Sequence, residues 1–298
     1  MSDFIPVLHT LTAPDWKDYQ LEDSGDGAKL ERFGSYTFIR PEHQAVWSRS
    51  LPARRWDEAQ GYFQSTAGEE TGGRWQYRKP VEPSWVMRYK NLTFEARATN
   101  SRHLGVFPEQ AAHWDWISYR IRAAERPVSV LNLFGYTGLA SLAAAQAGAS
   151  VTHVDASKKS VGWARQNQAL SQLAERPIRW IVDDALKFIQ REDRRGTKYH
   201  GIIMDPPKFG RGPKGEVWEC FEMLPQLLET CRRILHPQAL FLVVTAYAIR
   251  ASALSLYFAL DKAVQGLGGT VECGELVTLE QSARRVLSNA IFARWCKP

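Results

Sequence analysis

From about residue 105 onward, short apolar runs alternate with amphipathic stretches. The runs Val128–Leu133, Ser150–Asp155, Ile178–Val182, His200–Met204 and Ala239–Thr245 have the length and composition of strands, and Val128–Leu133 reads as a buried one. Stretches at helical spacing lie around them: Gln110–Glu125, closed by Pro127, then Gly138–Gly148, Lys158–Leu173, Ala185–Arg191 and Val217–Leu235. Strands alternating with helices predict parallel βαβ units in an open, doubly wound α/β sheet. A last helix, Ala251–Gly266, precedes strands Thr270–Thr278 and Asn289–Cys296. The loop between them predicts an antiparallel hairpin at the sheet edge, which makes seven strands in all.

Before residue 105 the pattern is different. Ser35–Arg40, Arg74–Arg78, Trp85–Tyr89 and Leu92–Ala96 are rich in aromatic and β-branched residues. The turn signals Ser24-Gly25-Asp26-Gly27, Thr71-Gly72-Gly73 and Thr99-Asn100-Ser101 punctuate them. A small β-rich domain with one short helix is expected over residues 1–104, ahead of the doubly wound domain over residues 105–298. One face of the smaller domain is expected to border the ligand cleft and help bind substrate.

Composition narrows the class. The 298 residues are 44% apolar and 23% charged, values that exclude a disordered or collagen-like chain. No apolar run approaches the roughly 18–20 residues needed to cross a bilayer. The start, MSDFIPVLHT, lacks the basic and apolar segments of a secretory signal. Cys220, Cys231, Cys273 and Cys296 form no CxxC pair, so a reduced, cytoplasmic chain without a metal site is expected. A net charge of +6 permits an anionic partner without demanding one. Seven of the 11 tryptophans (Trp16, Trp47, Trp56, Trp75, Trp85, Trp114 and Trp116) fall in the first 116 residues. They are expected to fill a core, the commoner use, rather than form a platform for bases.

Two segments carry candidate chemistry. The first strand runs into Asn132-Leu133-Phe134-Gly135-Tyr136-Thr137-Gly138, where glycines permit a sharp turn and close approach of backbone N–H groups to a ligand. Seventeen residues past Gly138 the second strand ends in Asp155, placed to accept hydrogen bonds from ribose hydroxyls. Turn, helix, strand and acid in this order point to a bound nucleoside rather than to an ordinary tight turn. A dinucleotide fingerprint is incomplete, because Leu133 stands at its first glycine and Ser141 or Leu142 at its third. The fourth strand runs into Met204-Asp205-Pro206-Pro207-Lys208-Phe209. The prolines fix their own φ and lack N–H groups, so this loop offers acceptors: a carboxylate and carbonyls. A planar amino group suits such a loop, with Phe209 able to stack on its ring.

The glycine turn resembles the first motif of class I S-adenosylmethionine-dependent methyltransferases, and Asp205–Phe209 resembles the D-P-P-x-F form of their fourth. The set Leu131–Gly138, Val154–Ser157, Asp183–Phe188 and Asp205–Phe209 is similar to the bacterial 23S rRNA cytosine-C5 methyltransferase family over roughly Leu104 to Pro298. The resemblance implies the Rossmann-like methyltransferase sheet and S-adenosylmethionine as cofactor. It implies cofactor contacts from Gln110, in a segment that closes over the methionine end, and from Asn132, Phe134, Gly135, Tyr136, Thr137, Gly138, Asp155, Ser157, Ala185 and Asp205, with Asp184 near the adenine. Two features depart from the family. A separate N-terminal PUA domain is not expected here. The attacking cysteine that follows strand five is missing too, where this chain reads Val244-Thr245-Ala246-Tyr247-Ala248. Attack on C6 of cytosine needs that thiolate.

The expected function is methylation of a base in RNA, ribosomal RNA being favoured, with Asp205, Pro206 and Lys208 as catalytic candidates. Asp205 and the Pro206 carbonyl would align an amino group, and Lys208 would meet a phosphate or the base. The loop Lys208–Lys214 is glycine-rich and basic, suited to ordering on RNA. Methylation of a small molecule or a protein, a non-catalytic nucleoside-binding protein and an NAD enzyme stay open as alternatives. No membrane partner and no metal are expected.

Overall fold

Alternating apolar positions build the strands of the first hundred residues in the computed structural model, which describes residues 5–66, 72–247 and 249–297. These strands are β1 (Leu8–Leu11), β2 (Tyr19–Gly25), β3 (Ala28–Phe33), β4 (Tyr36–Pro41), β5 (Gly61–Ser65), β6 (Gly73–Tyr77), β7 (Ser84–Tyr89) and β8 (Leu92–Arg97). Helix α1 (Ala53–Asp57) lies between β4 and β5. The alternating part follows: α2 (Ala111–Ala123), β9 (Ser129–Leu133), α3 (Leu139–Gln146), β10 (Ser150–Asp155), α4 (Lys158–Leu170), β11 (Ile178–Val182), α5 (Ala185–Arg194) and β12 (Gly201–Met204). The last elements are β13 (Phe209–Arg211), β14 (Val217–Glu219), α6 (Cys220–Arg233), β15 (Phe241–Ala246), α7 (Ala253–Val264), β16 (Thr270–Leu279) and β17 (Val286–Cys296). Thr71 and Ala248, named in the sequence reading, lie outside the described residues.

The chain divides into two compact units. One comprises Thr12–Ala111 with Val277–Leu287; the other comprises the described residues up to Leu11, Ala112–Leu276 and the described residues from Ser288. The first unit holds the sheet β2-β3-β4-β5-β6 and the β7–β8 hairpin. Its core is aromatic, with Phe33, Phe38, Trp56 and Phe94 almost fully buried. Of the seven early tryptophans Trp56, Trp75 and Trp114 are buried, whereas Trp16, Trp47, Trp85 and Trp116 are half-buried. A buried ion pair joins β3 and β4: Arg40 Nε donates to Glu31 Oε2 at 2.6 Å, and Tyr19 Oη donates to Glu31 Oε1 at 2.8 Å. Against the upward push of burial, the Arg40 and Lys29 charges hold the Glu31 carboxyl at about 2.

The second unit is the doubly wound sheet, ordered β1-β16-β17-β15-β12-β9-β10-β11. Strands β9 to β12 and β15 are parallel, and β17 runs antiparallel to β15, so the expected C-terminal hairpin joins this sheet, but it is not the edge. The sheet has an eighth strand that the sequence pattern did not reveal. β1 pairs in parallel with β16, from Leu8 opposite Cys273 to Leu11 opposite Leu276. Its first three residues are exposed, so it lacks the apolar signature of a central strand; it joins through backbone pairing and through Leu11, which packs against the cluster of Leu276, Ala290 and Phe292.

Val217–Leu235 is a helix only from Cys220. Val217–Glu219 instead pairs antiparallel with Phe209–Arg211, so the expected glycine-rich loop is a β-hairpin. Cross-strand pairing decides this, because Val217 also fits the helical period of the residues after it.

Candidate functional site

β9 lies between β10 and β12, so the chain leaves the sheet in opposite directions on either side of it. This is the switch point where open α/β sheets bind ligands, beyond the carboxyl ends of the strands. The register levels the candidates. Leu133 pairs with Val154 on one side and Met204 on the other, so Phe134, Asp155 and Asp205 are the next residues of three adjacent strands. At about 4.8 Å per strand, the Asp155 and Asp205 backbones stand about 10 Å apart.

The turn after β9 is held in an unusual conformation. Phe134, Tyr136 and Gly138 all have positive φ, at 55°, 49° and 84°. Only glycine adopts this region without cost, so two non-glycine residues are held there by their surroundings. Gly135 N–H donates to Val154 O at 3.1 Å, Gly138 N–H to Gly135 O at 2.9 Å, and Asn167 Nδ2 to Thr137 O at 3.0 Å. Tyr136 N–H donates to Asp155 Oδ2 at 2.9 Å and Ser157 N–H to Asp155 Oδ1 at 2.8 Å. Burial pushes the Asp155 carboxyl up, against these two N–H groups. Ser157 also caps α4, accepting from Ser160 N–H at 3.1 Å.

Other candidates serve local structure. Asn132 is 2% exposed, and its amide donates to Ser141 Oγ at 2.9 Å. Asp184 caps α5, accepting from Lys187 N–H at 2.9 Å, with Ala185 as the first residue of that helix. Asp183 pairs with Arg191 and accepts from Asp184 N–H at 2.9 Å. Gln110 belongs to the β-rich unit, at the end of the 3-10 turn Pro108–Gln110.

In the acceptor loop, Trp218 Nε1 donates to Pro207 O at 2.7 Å and Cys220 N–H to Lys208 O at 3.0 Å. The β13–β14 hairpin is thereby tied to the prolines, while Phe134 and Trp218 meet at 5.0 Å between ring centroids. Phe209 is 60% exposed, with Lys208 Nζ 5.6 Å from its ring centre. Beside it lies an open hollow of about 350 Å³, lined by Phe209, Gly210, Arg211, Val217 and Trp218. Cys220 is the first residue of α6 and is buried in the core with Met204 and Trp218. Burial pushes the Cys220 thiol up, away from the nucleophilic thiolate. Thr245 and Ala246, at the end of β15, are buried as well.

A crystal structure of an S-adenosylmethionine-dependent methyltransferase from Agrobacterium tumefaciens is 49% identical to this chain. The two superpose with a TM-score of 0.93, covering 98% of this chain and 94% of that one. The chain belongs to the S-adenosylmethionine-dependent methyltransferases. Within these enzymes it is related to the ribosomal RNA large subunit methyltransferases. The K/L enzyme of Desulfotalea psychrophila is 37% identical over 181 residues, 60% of this chain and 24% of that one. The ribosomal RNA large subunit methyltransferase I of Salmonella arizonae is 32% identical over 146 residues, 45% of this chain and 34% of that one. The chain thus matches about a quarter to a third of these relatives' lengths. No family model matches it.

The methyltransferase takes S-adenosylmethionine as its cofactor, and the residues at the switch point suit that molecule. Asp155 offers acceptors to ribose hydroxyls, and the turn brings backbone close without the phosphate cradle that a dinucleotide needs. Among the described residues no three His, Cys, Asp or Glu side chains are grouped to hold a metal ion. Nor is any helix among them long and apolar enough to cross a membrane. Sequence reasoning missed His153, Asn167, Trp180 and Trp218, all of which touch the two motifs. None carries a linear signal, because each reaches its motif through tertiary contact.

Proposed function

We propose that this methyltransferase acts on RNA, ribosomal RNA being favoured, and that its acceptor is an exocyclic nitrogen of a base. The observation that carries the acceptor chemistry is the Asp205-Pro206-Pro207 loop. It offers a carboxylate and a carbonyl on the strand next to the glycine turn, and the thiol nearest in sequence is buried and protonated. The relatives named for ribosomal RNA support the choice of polymer.

S-adenosylmethionine, when bound, supplies a methyl group already activated by its sulfonium. Catalysis by the chain is therefore mainly alignment. In this reading Asp155 orients the ribose, with the Phe134–Gly138 turn along the nucleoside and Asp184 and Ala185 toward the adenine. Asp205 and the Pro206 carbonyl accept the two amino hydrogens, which aims the nitrogen lone pair at the methyl carbon. Asp205 would also be the base beside the amino proton that has to leave once the nitrogen carries the methyl group. Lys208 is assigned to a phosphate of the RNA and Phe209 to stacking, which is sequence-tolerant. The β-rich unit is assigned to substrate recognition. The unpaired Cys220, Cys231, Cys273 and Cys296 suit a reducing cytoplasm.

The test is nucleoside profiling of ribosomal and transfer RNA from cells with and without the gene, followed by methylation of the deficient RNA by purified protein. The expected product is one nitrogen-methylated nucleoside. A 5-methylcytosine product, or labelling of protein or small molecules with no RNA labelled, overturns the proposal.

A further inference from the structure

Register places Asn132, His153 and Trp180 in one row across β9, β10 and β11, immediately under the cofactor turn. This row is partly polar although it is deep in the sheet. His153 is 0% exposed, and its Nδ1 lies 3.0 Å from Ser141 Oγ, which also accepts from Asn132 Nδ2 at 2.9 Å. Among the described residues His153 Nε2 is buried without a hydrogen-bond partner. Burial pushes the imidazolium down to about 3, so the ring is neutral at physiological pH. A buried histidine with one nitrogen unpaired costs stability. His113 is buried with both ring nitrogens unpartnered among the described residues as well, so burial by itself does not mark His153 out.

What distinguishes His153 is the contact above its ring. A Cβ built on Gly135 would stand 2.5 Å from His153 Nδ1 and still closer to Cε1, whereas the next neighbour is Asn132 Nδ2 at 3.0 Å. Gly135 is not among the positive-φ residues, so its backbone conformation does not require glycine. The space above His153 requires it. At the other end of the turn a Cβ on Gly138 would meet Ala164 Cβ at 2.8 Å and Trp180 at 3.2 Å. Each glycine thus has its own partner in the layer below.

We infer that His153, held by Ser141 and Asn132, is a positioning residue: its ring is the seat on which Gly135 rests. That seat sets the left-handed Phe134 and Tyr136 on either side of Gly135. Through Tyr136 N–H it sets the direction of the Asp155 carboxylate, so His153 acts on cofactor affinity without touching the cofactor. The inference rests on the reading of Phe134–Gly138 and Asp155 as the cofactor site.

Steric complementation tests it, with S-adenosylhomocysteine as the calorimetric probe. Gly135→Ala should weaken binding more than tenfold. His153→Ala alone should weaken it less, and Gly135→Ala/His153→Ala should recover at least fivefold of the loss caused by Gly135→Ala. A merely structural histidine predicts the opposite, because two destabilising changes would add. A double variant that binds no better than Gly135→Ala overturns the inference. If Gly135→Ala does not fold, Ser141→Ala serves, since it removes the hydrogen bond and introduces no clash. It should weaken binding threefold or more with kcat nearly unchanged, and wild-type affinity in folded Ser141→Ala also overturns the inference. Failure of wild-type protein to bind S-adenosylhomocysteine would instead overturn the site reading on which it rests.

Discussion

Asp155→Ala removes a carboxylate that braces the turn and, in the proposed function, also orients the ribose. On the protein side, Tyr136 N–H at 2.9 Å and Ser157 N–H at 2.8 Å lose their acceptor. A buried orphan N–H costs about 1–3 kcal/mol, but position 155 is only half-buried and water can reach it, so about 1–2 kcal/mol in total is expected. On the ligand side, ribose hydroxyls lose a charged acceptor that contributes about 1.5–3 kcal/mol. That corresponds to a loss of about tenfold to 150-fold in affinity. Asp155→Asn keeps the shape but offers one acceptor where there were two, and it should fall between wild type and Asp155→Ala. A third signature follows from the carboxyl being raised by burial. Ligand hydroxyls favour the charged form, so wild-type affinity should decline on acidification through this titration, and that decline should vanish in Asp155→Ala. Calorimetric titration with S-adenosylhomocysteine, beside thermal unfolding of each variant, separates the two effects. An Asp155→Ala protein with lowered stability and unchanged affinity would show that Asp155 only braces the turn.

Asp205→Ala should lower turnover about a hundredfold or more while cofactor affinity changes little, because it removes acceptor alignment. Single-turnover kinetics check this, and an equal loss in both quantities refutes it. Cys220→Ser and Cys231→Ser should remain active, and RNA containing 5-fluorocytosine should form no covalent adduct with the protein. An adduct abolished by Cys220→Ser would establish a cysteine mechanism. Burial, with Arg294 adding to it at His113, holds the folded-state His113 and His153 at about 3, below the ordinary value of 6.5. Their stabilisation is therefore complete above pH 6.5 and is lost as pH falls from there toward 3, by about 2 kcal/mol per histidine between pH 7 and pH 5. His103 and His200 shift in the same direction. Denaturant unfolding at the two pH values should show the loss and His113→Leu should reduce it; pH-independent stability refutes the assignment.

The strands β9, β12 and β15 were legible because burial on both faces writes a continuous apolar run, a local property of the chain; β11, at the sheet edge and partly exposed, was legible from its β-branched and aromatic residues instead. The glycine turn, Asp155 and the Asp-Pro-Pro loop were legible for a related reason. Backbone conformation at glycine and proline is determined largely within one residue of them. Where a pairing partner lies elsewhere, local pattern misleads. Val217 and Trp218 fit the start of an amphipathic helix, yet Arg211 and Gly210 take them into a hairpin. Leu8–Leu11 carries no sign that Cys273–Leu276 offers it an edge more than 260 residues away. Segment Val277–Leu287 likewise belongs with Thr12–Ala111.

The same division runs through the site. By itself the sequence determined which candidate groups stand at the strand ends: an acid after the second strand, acceptors after the fourth, and no cysteine after the fifth. Only tertiary structure decided how they are placed relative to one another. Register levels Asp155 with Asp205, and Trp218 and Cys220 take up the carbonyls of Pro207 and Lys208. His153 fills the space that makes Gly135 a glycine. Residue type and local backbone preference are properties of a few neighbouring positions, whereas excluded volume and hydrogen-bond partnership belong to atoms that folding alone brings together.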